Sequence, residues 1–220
     1  MTTIFDDTFT ESSDTDLVSH TSDSGHTWTE ISSNASTKAR VFAATDVCSP
    51  SANVNDSNIG YTADVTPSTA EYDVYVELAG LPTDTGTRTA GITGRVTDSS
   101  NYYFICLLSN AHATNSTRLF KKVAGSNTQL GSIDLTLAAS DVIKLEIKDA
   151  TKKVFQNGGE QLSSGDNALT SVGKGGLGFG QHVGGGHTNT NWDFTRFWVE
   201  EAAAGGGDIV LFRRIIESDR

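Results

Sequence analysis

Several groups of residues in this chain have types that can do chemistry, and each places a demand on the fold. Three acids, Glu71, Asp73 and Glu77, share one face of the alternating segment Glu71-Tyr-Asp-Val-Tyr-Val-Glu77. Retaining glycoside hydrolysis needs two carboxyl groups about 5–5.5 Å apart. At ~3.3 Å per residue, Glu71 and Glu77 stand about 20 Å apart along a strand, so they are not such a pair. Asp73 can approach Glu71, but no third carboxylate completes the motif at catalytic spacing, and the expectation is a solvated outer strand face. Gly173-Lys-Gly-Gly-Leu-Gly178 matches the G-x-G-x-x-G phosphate loop in spelling. That chemistry needs a helix next, and Phe179-Gly-Gln-His-Val-Gly-Gly-Gly186 cannot form one, so turn and close strand packing explain the glycines.

His182 and His187 could ligate a metal with Asp193, but a Gly-rich loop gives two imidazoles no common register, and exposed loop histidines are expected. Asp6, Asp7, Asp14 and Asp16 offer oxygens for calcium without the spacing of a binding loop. No cofactor is therefore expected, calcium being the one ion these residues leave open. Cys48 and Cys106 are far apart in sequence, and Cys106 lies within the strand-like run Tyr102–Leu108, where a buried free thiol is expected. Aromatics beside amides suit sugars, because a ring face stacks on a pyranose while amides bond its hydroxyls. Tyr75, Asn189, Asn191 and Trp192 are the candidate glycan-binding residues on this ground, with Tyr61 also eligible. Trp28, Trp192 and Trp198 equally suit packing in a core.

The elements that must position these residues are strands. Tyr72, Val74, Val76 and Leu78 alternate with polar neighbours, as do Ile143, Leu145 and Ile147. Trp28–Ile31, Ala39–Thr45, Ile59–Val65, Thr89–Val96, Tyr102–Leu108, Arg118–Val123, Lys153–Gln156 and Phe194–Glu200 are further strand candidates, and the opening run Ile4–Phe9 is another. Turns of Asn, Gly, Ser and Asp separate them, as in Ala124-Gly-Ser-Asn127 and Gln156-Asn-Gly-Gly159. About a dozen short strands at this spacing predict an all-β antiparallel sandwich or barrel. The 220 residues leave ample length for a core, and 36% hydrophobic content with one Met argues against a helical bundle.

Sixteen Lys plus Arg against 27 Asp plus Glu give a net charge of −11, which excludes a basic nucleic-acid binder and disfavours anionic membranes. No run approaches the ~20 apolar residues of a membrane-spanning helix, and the first residues lack the pattern of a signal peptide. The Ala/Gly segment 202–207 reads as a linker between a body at 1–201 and an arm at 208–220. Ile209, Val210, Leu211, Phe212, Ile215 and Ile216, with Arg213 and Arg214, give that arm apolar side chains too few for a core of its own. It is expected to dock on a partner, as a strand or a helix.

Phe5-Asp-Asp-Thr-Phe9, Ser19-His-Thr-Ser-Asp-Ser-Gly25 and Trp28 resemble the start of concanavalin A-like, laminin-G-like jelly-roll domains. Similar segments follow in order: Ala90–Tyr103, Arg118–Gly125, Ile143–Ile147, Gly173–Gly178 and Trp192–Phe194. The resemblance spans residues 4 to about 201 and implies an antiparallel jelly-roll β-sandwich. Glucanases of this kind carry Glu-x-Asp-x-Glu, sometimes with one inserted residue. The last acid here sits six positions after the first, which points away from an enzyme. Members that begin this way resemble tailed-phage virion proteins. The expected function is thus a non-enzymatic virion component assembled in the host cytoplasm, decorating a capsid or serving attachment, with the arm 208–220 docked on another virion protein or on a second copy of this chain. A lectin-type domain adhering to host surface polysaccharide is the alternative, and a polysaccharide hydrolase the third reading.

Overall fold

The computed structural model describes residues 1–32, 38–51, 59–82, 88–108, 116–181 and 192–202. His182, His187, Asn189, Asn191 and the arm 208–220 lie outside the described residues. The strands are β1 (Thr2–Asp7), β2 (Thr15–Asp16), β3 (Trp28–Ser32), β4 (Ala39–Phe42), β5 (Val47–Pro50), β6 (Ile59–Ala63), β7 (Tyr72–Gly80) and β8 (Arg88–Asp98). They continue with β9 (Asn101–Leu108), β10 (Thr117–Val123), β11 (Ser126–Ile133), β12 (Val142–Ile147), β13 (Thr151–Gln156), β14 (Gly159–Gly165), β15 (Lys174–Gln181) and β16 (Asp193–Glu201). A single 3-10 turn, Leu17–Ser19, is the only helical element among the described residues.

One sheet has nine strands in the order β14-β13-β12-β7-β16-β5-β4-β2, with β1 also paired to β16. The other has seven, ordered β11-β10-β9-β8-β15-β6-β3. Strands late in the chain, β15 and β16, insert between early ones, so hairpin neighbours alternate with long returns. This is the antiparallel jelly-roll sandwich that the strand pattern and the resemblance lead one to expect. β2, β5, β11, β14 and β15 are strands that alternation does not predict.

The core forms where the alternating apolar faces meet. Val74, Val76, Leu145, Ile147, Phe197 and Val199 from one sheet face Ile92, Tyr103, Ile105, Leu119 and Leu177 from the other, all at 0–2% exposure. Each such side chain contributes roughly 1.5–3 kcal/mol by leaving water. Two hairpins close on turns whose central residues both have positive φ: Ala124 (48°) with Gly125 (83°), and Asn157 (50°) with Gly158 (81°). These are the mirror-image turns that match strand twist, and Asn-Gly suits them best.

Two buried cations brace one end of the sandwich. The Arg95 guanidinium, fully buried, donates to Ala70 O at 2.9 Å, to Leu169 O, and to Asp149 Oδ1 at 3.3 Å. The Lys152 ammonium, also fully buried, donates to the carbonyls of Lys148 (2.6 Å), Asp149 (3.2 Å) and Asp166 (2.9 Å), above the Tyr103 ring at 4.7 Å. Carbonyls satisfy both cations, and the segments supplying them are held by charge-assisted bonds.

At the other end, Asp7 is wholly buried and accepts from Phe9 N (2.8 Å), His20 Nε2 (2.8 Å) and Trp28 Nε1 (2.7 Å). His20 Nδ1 donates to Glu11 Oε1 at 2.7 Å. With a carboxylate on each side, a ring protonated on both nitrogens satisfies both acceptors, which favours the imidazolium form. Burial opposes that charge, but the bonds to Asp7 and Glu11 outweigh it and raise the His20 pKa above its ordinary value. A raised folded pKa gives stability that is full below the unfolded value of about 6.5 and is lost as pH rises through the folded one. The thermal midpoint should therefore fall as pH climbs above about 6.5, and His20→Gln should flatten that slope. Calorimetry across this range checks both.

Candidate functional site

The outer face of the seven-stranded sheet carries a groove of ≈ 300 Å³. Alternation determines what lines it. On β9, Tyr103, Ile105 and Leu107 point into the core, so Tyr102, Phe104 and Cys106 point out. On β10, buried Leu119 leaves Arg118, Phe120 and Lys122 outward. On β15, Leu177 and Phe179 are buried while Gly178 and Gly180 line the groove, and β6 and β8 contribute Gly60, Gly91 and Thr93.

Register turns these positions into rows. Gly60, Gly178 and Gly91 are direct cross-strand partners, so the floor is bare backbone across three strands. The next row runs Thr62, Gly176, Thr93, Phe104, Phe120 and Gln129. Phe104 and Phe120 therefore stack, with ring centroids 4.9 Å apart and planes at 10°. Tyr102 extends the wall, its ring 5.5 Å from that of Phe104, and Lys122 Nζ lies 5.3 Å from the Tyr102 centroid. Thr93 is 7% exposed, and its Oγ1 has no hydrogen-bond partner among the described residues. That oxygen is sealed from solvent, so the cost of leaving it unpaired is borne by the fold.

The described groove lining contains no carboxylate. Cys106 is half-buried on this face rather than sealed in the core, and burial pushes its thiol up to about 11, so it stays protonated at neutral pH. Cys48 is fully buried, and burial raises its thiol pKa well above the ordinary value.

The residues singled out from the sequence are placed elsewhere. Tyr75 is on β7, in the opposite sheet, with its ring stacked on Trp198 at 4.7 Å. Its hydroxyl donates to Glu200 Oε2 (3.0 Å) or Asp73 Oδ2 (3.2 Å), so a ring face and the polar tip are already engaged. Trp192 is 2% exposed and belongs to the core, which corrects its reading as a sugar platform: a buried ring offers no face to a ligand. Asn189 and Asn191 lie outside the described residues. Asp73 is 2% exposed, with its pKa raised by burial against the pull of Lys144 at 3.1 Å, and it faces away from the groove with the rest of its sheet.

The four N-terminal aspartates do not converge. Asp6 pairs with Arg196 (2.8 Å) and Asp16 with Arg40 (2.8 Å), Asp14 accepts from Ala43 N (3.1 Å), and Asp7 is committed to His20 and Trp28. One sequence signal could have found the groove. Tyr102-x-Phe104 and Arg118-x-Phe120-x-Lys122 place aromatics out of phase with the aliphatics on consecutive strands, which is what an apolar outer face looks like.

No family model matches the sequence, and no curated protein matches it. Solved structures do. A Bacillus subtilis protein of unknown function with a galectin-like fold aligns at TM-score 0.60 and 10% identity, over 91% of this chain and 96% of that one. A Bacillus licheniformis beta-glucanase aligns at 0.58 and 10%, covering 85% and 97%. The carbohydrate-binding module CBM66 from Bacillus subtilis aligns at 0.54 and 12%, covering 79% and 95%. At such identities the likeness concerns the fold, and the fold of this chain is the concanavalin A-like jelly roll.

Proposed function

We propose that the chain is a non-catalytic glycan-binding module whose ligand lies along the groove of the seven-stranded sheet. The observation that carries this reading is the stacked wall of Phe104 and Phe120 beside a floor without side chains. A pyranose presents an apolar C–H face that packs on such a wall and a rim of hydroxyls that suit the exposed Asn127 amide in the groove lining. Solved neighbours named as a carbohydrate-binding module and as a beta-glucanase share the fold and support a sugar ligand. Binding is favoured over hydrolysis because the described groove lining lacks the carboxylates that hydrolysis needs. The capsid-decoration or attachment role expected from the sequence fits the same reading, since a virion-borne adhesin needs both a sugar groove and an anchor such as 208–220.

Affinity electrophoresis in gels cast with soluble polysaccharides tests the reading. Retardation by at least one glycan is expected, without release of reducing ends. Phe120→Ala should weaken binding at least tenfold while the thermal midpoint moves little, because the ring is half-exposed. If no polysaccharide retards the protein, the reading fails.

A further inference from the structure

We infer that the groove selects acidic polysaccharides, those whose sugars carry carboxylate or sulfate groups; this rests on the glycan-binding reading above. The protein has a net charge of −11, yet the charged side chains in the described groove lining are Arg118 and Lys122, both cationic. They flank Phe120 on the outward face of β10, about 13 Å apart at ~3.3 Å per residue. A sugar ring stacked on Phe120 is thus bracketed by positive charges, and only an oligomer reaches both.

Lys122 differs from most lysines of this protein. Lys38, Lys121, Lys144, Lys153 and Lys174 each hold a carboxylate. Lys122 Nζ instead donates to the Ser99 carbonyl at 2.8 Å and lies over the Tyr102 ring, neither of which is an anion. Its charge is left uncompensated by the described residues on a surface where acids are plentiful. Arg118 adds a second cation to the same face, and Asn127, the cross-strand partner of Lys122, adds an exposed amide. A neutral glycan would gain little from this concentration of positive charge. An acidic one must overcome repulsion from the rest of the molecule, and it recovers that only in direct contact with these two residues.

The test compares the full chain on polygalacturonate, carrageenan and laminarin, which carry carboxylate, sulfate and no charge. Binding to one or both acidic polymers is expected, at least tenfold tighter than to laminarin. It should weaken as salt rises from about 0.1 M to about 1 M, where the screening length shrinks from ~10 Å to ~3 Å. Lys122→Gln should cost about tenfold in affinity for the acidic polymer and reduce its salt response, with the thermal midpoint as a check on folding. Carboxylate-only or sulfate-only binding identifies the group and supports the inference. Equal binding to laminarin, or a Lys122→Gln variant that binds as well as the parent, overturns it while leaving the glycan reading in place. Failure to bind any polysaccharide overturns both.

Discussion

Asp7→Ala is expected to destabilise the protein by about 3–5 kcal/mol, the usual result of removing one partner from a buried charged pair. In a domain of this size that lowers the thermal midpoint by roughly 6–20 °C. Three donors lose their acceptor at once: Phe9 N, His20 Nε2 and Trp28 Nε1. His20, at 2% exposure, would keep its charge with only Glu11 to meet it, or lose a proton and a bond. Trp28 suffers too, because its indole packs edge-on against Phe5 and Phe197 at 5.0 Å each, and Asp7 anchors its polar end. The contrast is Glu11→Gln. Glu11 is 26% exposed and makes one bond to the same ring, so its replacement should cost about 1 kcal/mol or less. Denaturant titration of the three proteins checks the order. Equal midpoints for the parent and Asp7→Ala would show that the buried carboxylate does not hold this end of the sandwich together.

The second large effect separates two glycines that are two residues apart on β15. A Cβ on Gly176 would lie 2.1 Å from the Tyr61 carbonyl oxygen and 2.8 Å from Thr93 Oγ1. Backbone cannot retreat there without breaking the pairing of β15 with β6 or β8, so Gly176→Val should cost about 3 kcal/mol or more, or prevent folding. A Cβ on Gly178 would meet Ile59 O at 3.2 Å and Gly60 Cα at 3.9 Å, which a shift of a few tenths of an ångström relieves. Gly178→Leu should therefore fold with a midpoint within a few degrees of the parent and abolish glycan binding, because the new side chain fills the floor of the groove. Circular dichroism and affinity electrophoresis on the same two variants read out fold and function separately. A Gly178→Leu protein that still bound its glycan would place the ligand elsewhere.

β15 also shows why the sequence reveals some elements and hides others. Ile143-Lys-Leu-Glu-Ile147 announces a strand because alternation is a local property and burial follows it. Lys174–Gln181 holds four glycines, which normally weaken a strand, yet it lies inside a sheet, between β8 and β6. The reason is non-local. Neighbouring carbonyls and the core side chains Val74 and Val199 occupy the space that side chains at Gly175 and Gly176 would need. The polar strand β11 is hidden for the opposite reason: it is an edge strand, exposed over Ser126–Gln129, with no apolar face to betray it there.

The same logic governs the site. Phe104 and Phe120 are legible as strand residues, but their stacking depends on the register of β9 with β10. The glycine floor in front of them depends on the insertion of β15 between β6 and β8. Trp192 misleads because a tryptophan beside a Gly-rich run resembles a loop platform, whereas its neighbours Phe194 and Phe197 carry it into the core.

The ammonium of Lys152 is, in effect, a cation tethered to the chain that uses it. A dissolved ion that gathered the same three carbonyls would stabilise the fold only in proportion to the logarithm of its concentration over its dissociation constant. A tethered one has no dissociation constant, so the segments at 148–149 and 166 stay gathered whatever the ionic composition of the medium. Its ring neighbour Tyr103 lies on β9, whose opposite face bears Tyr102 and Phe104. The aromatic wall of the groove thus rests on a support that no chelator can leach away; only alkali can weaken it, because burial pulls the Lys152 pKa down to about 8.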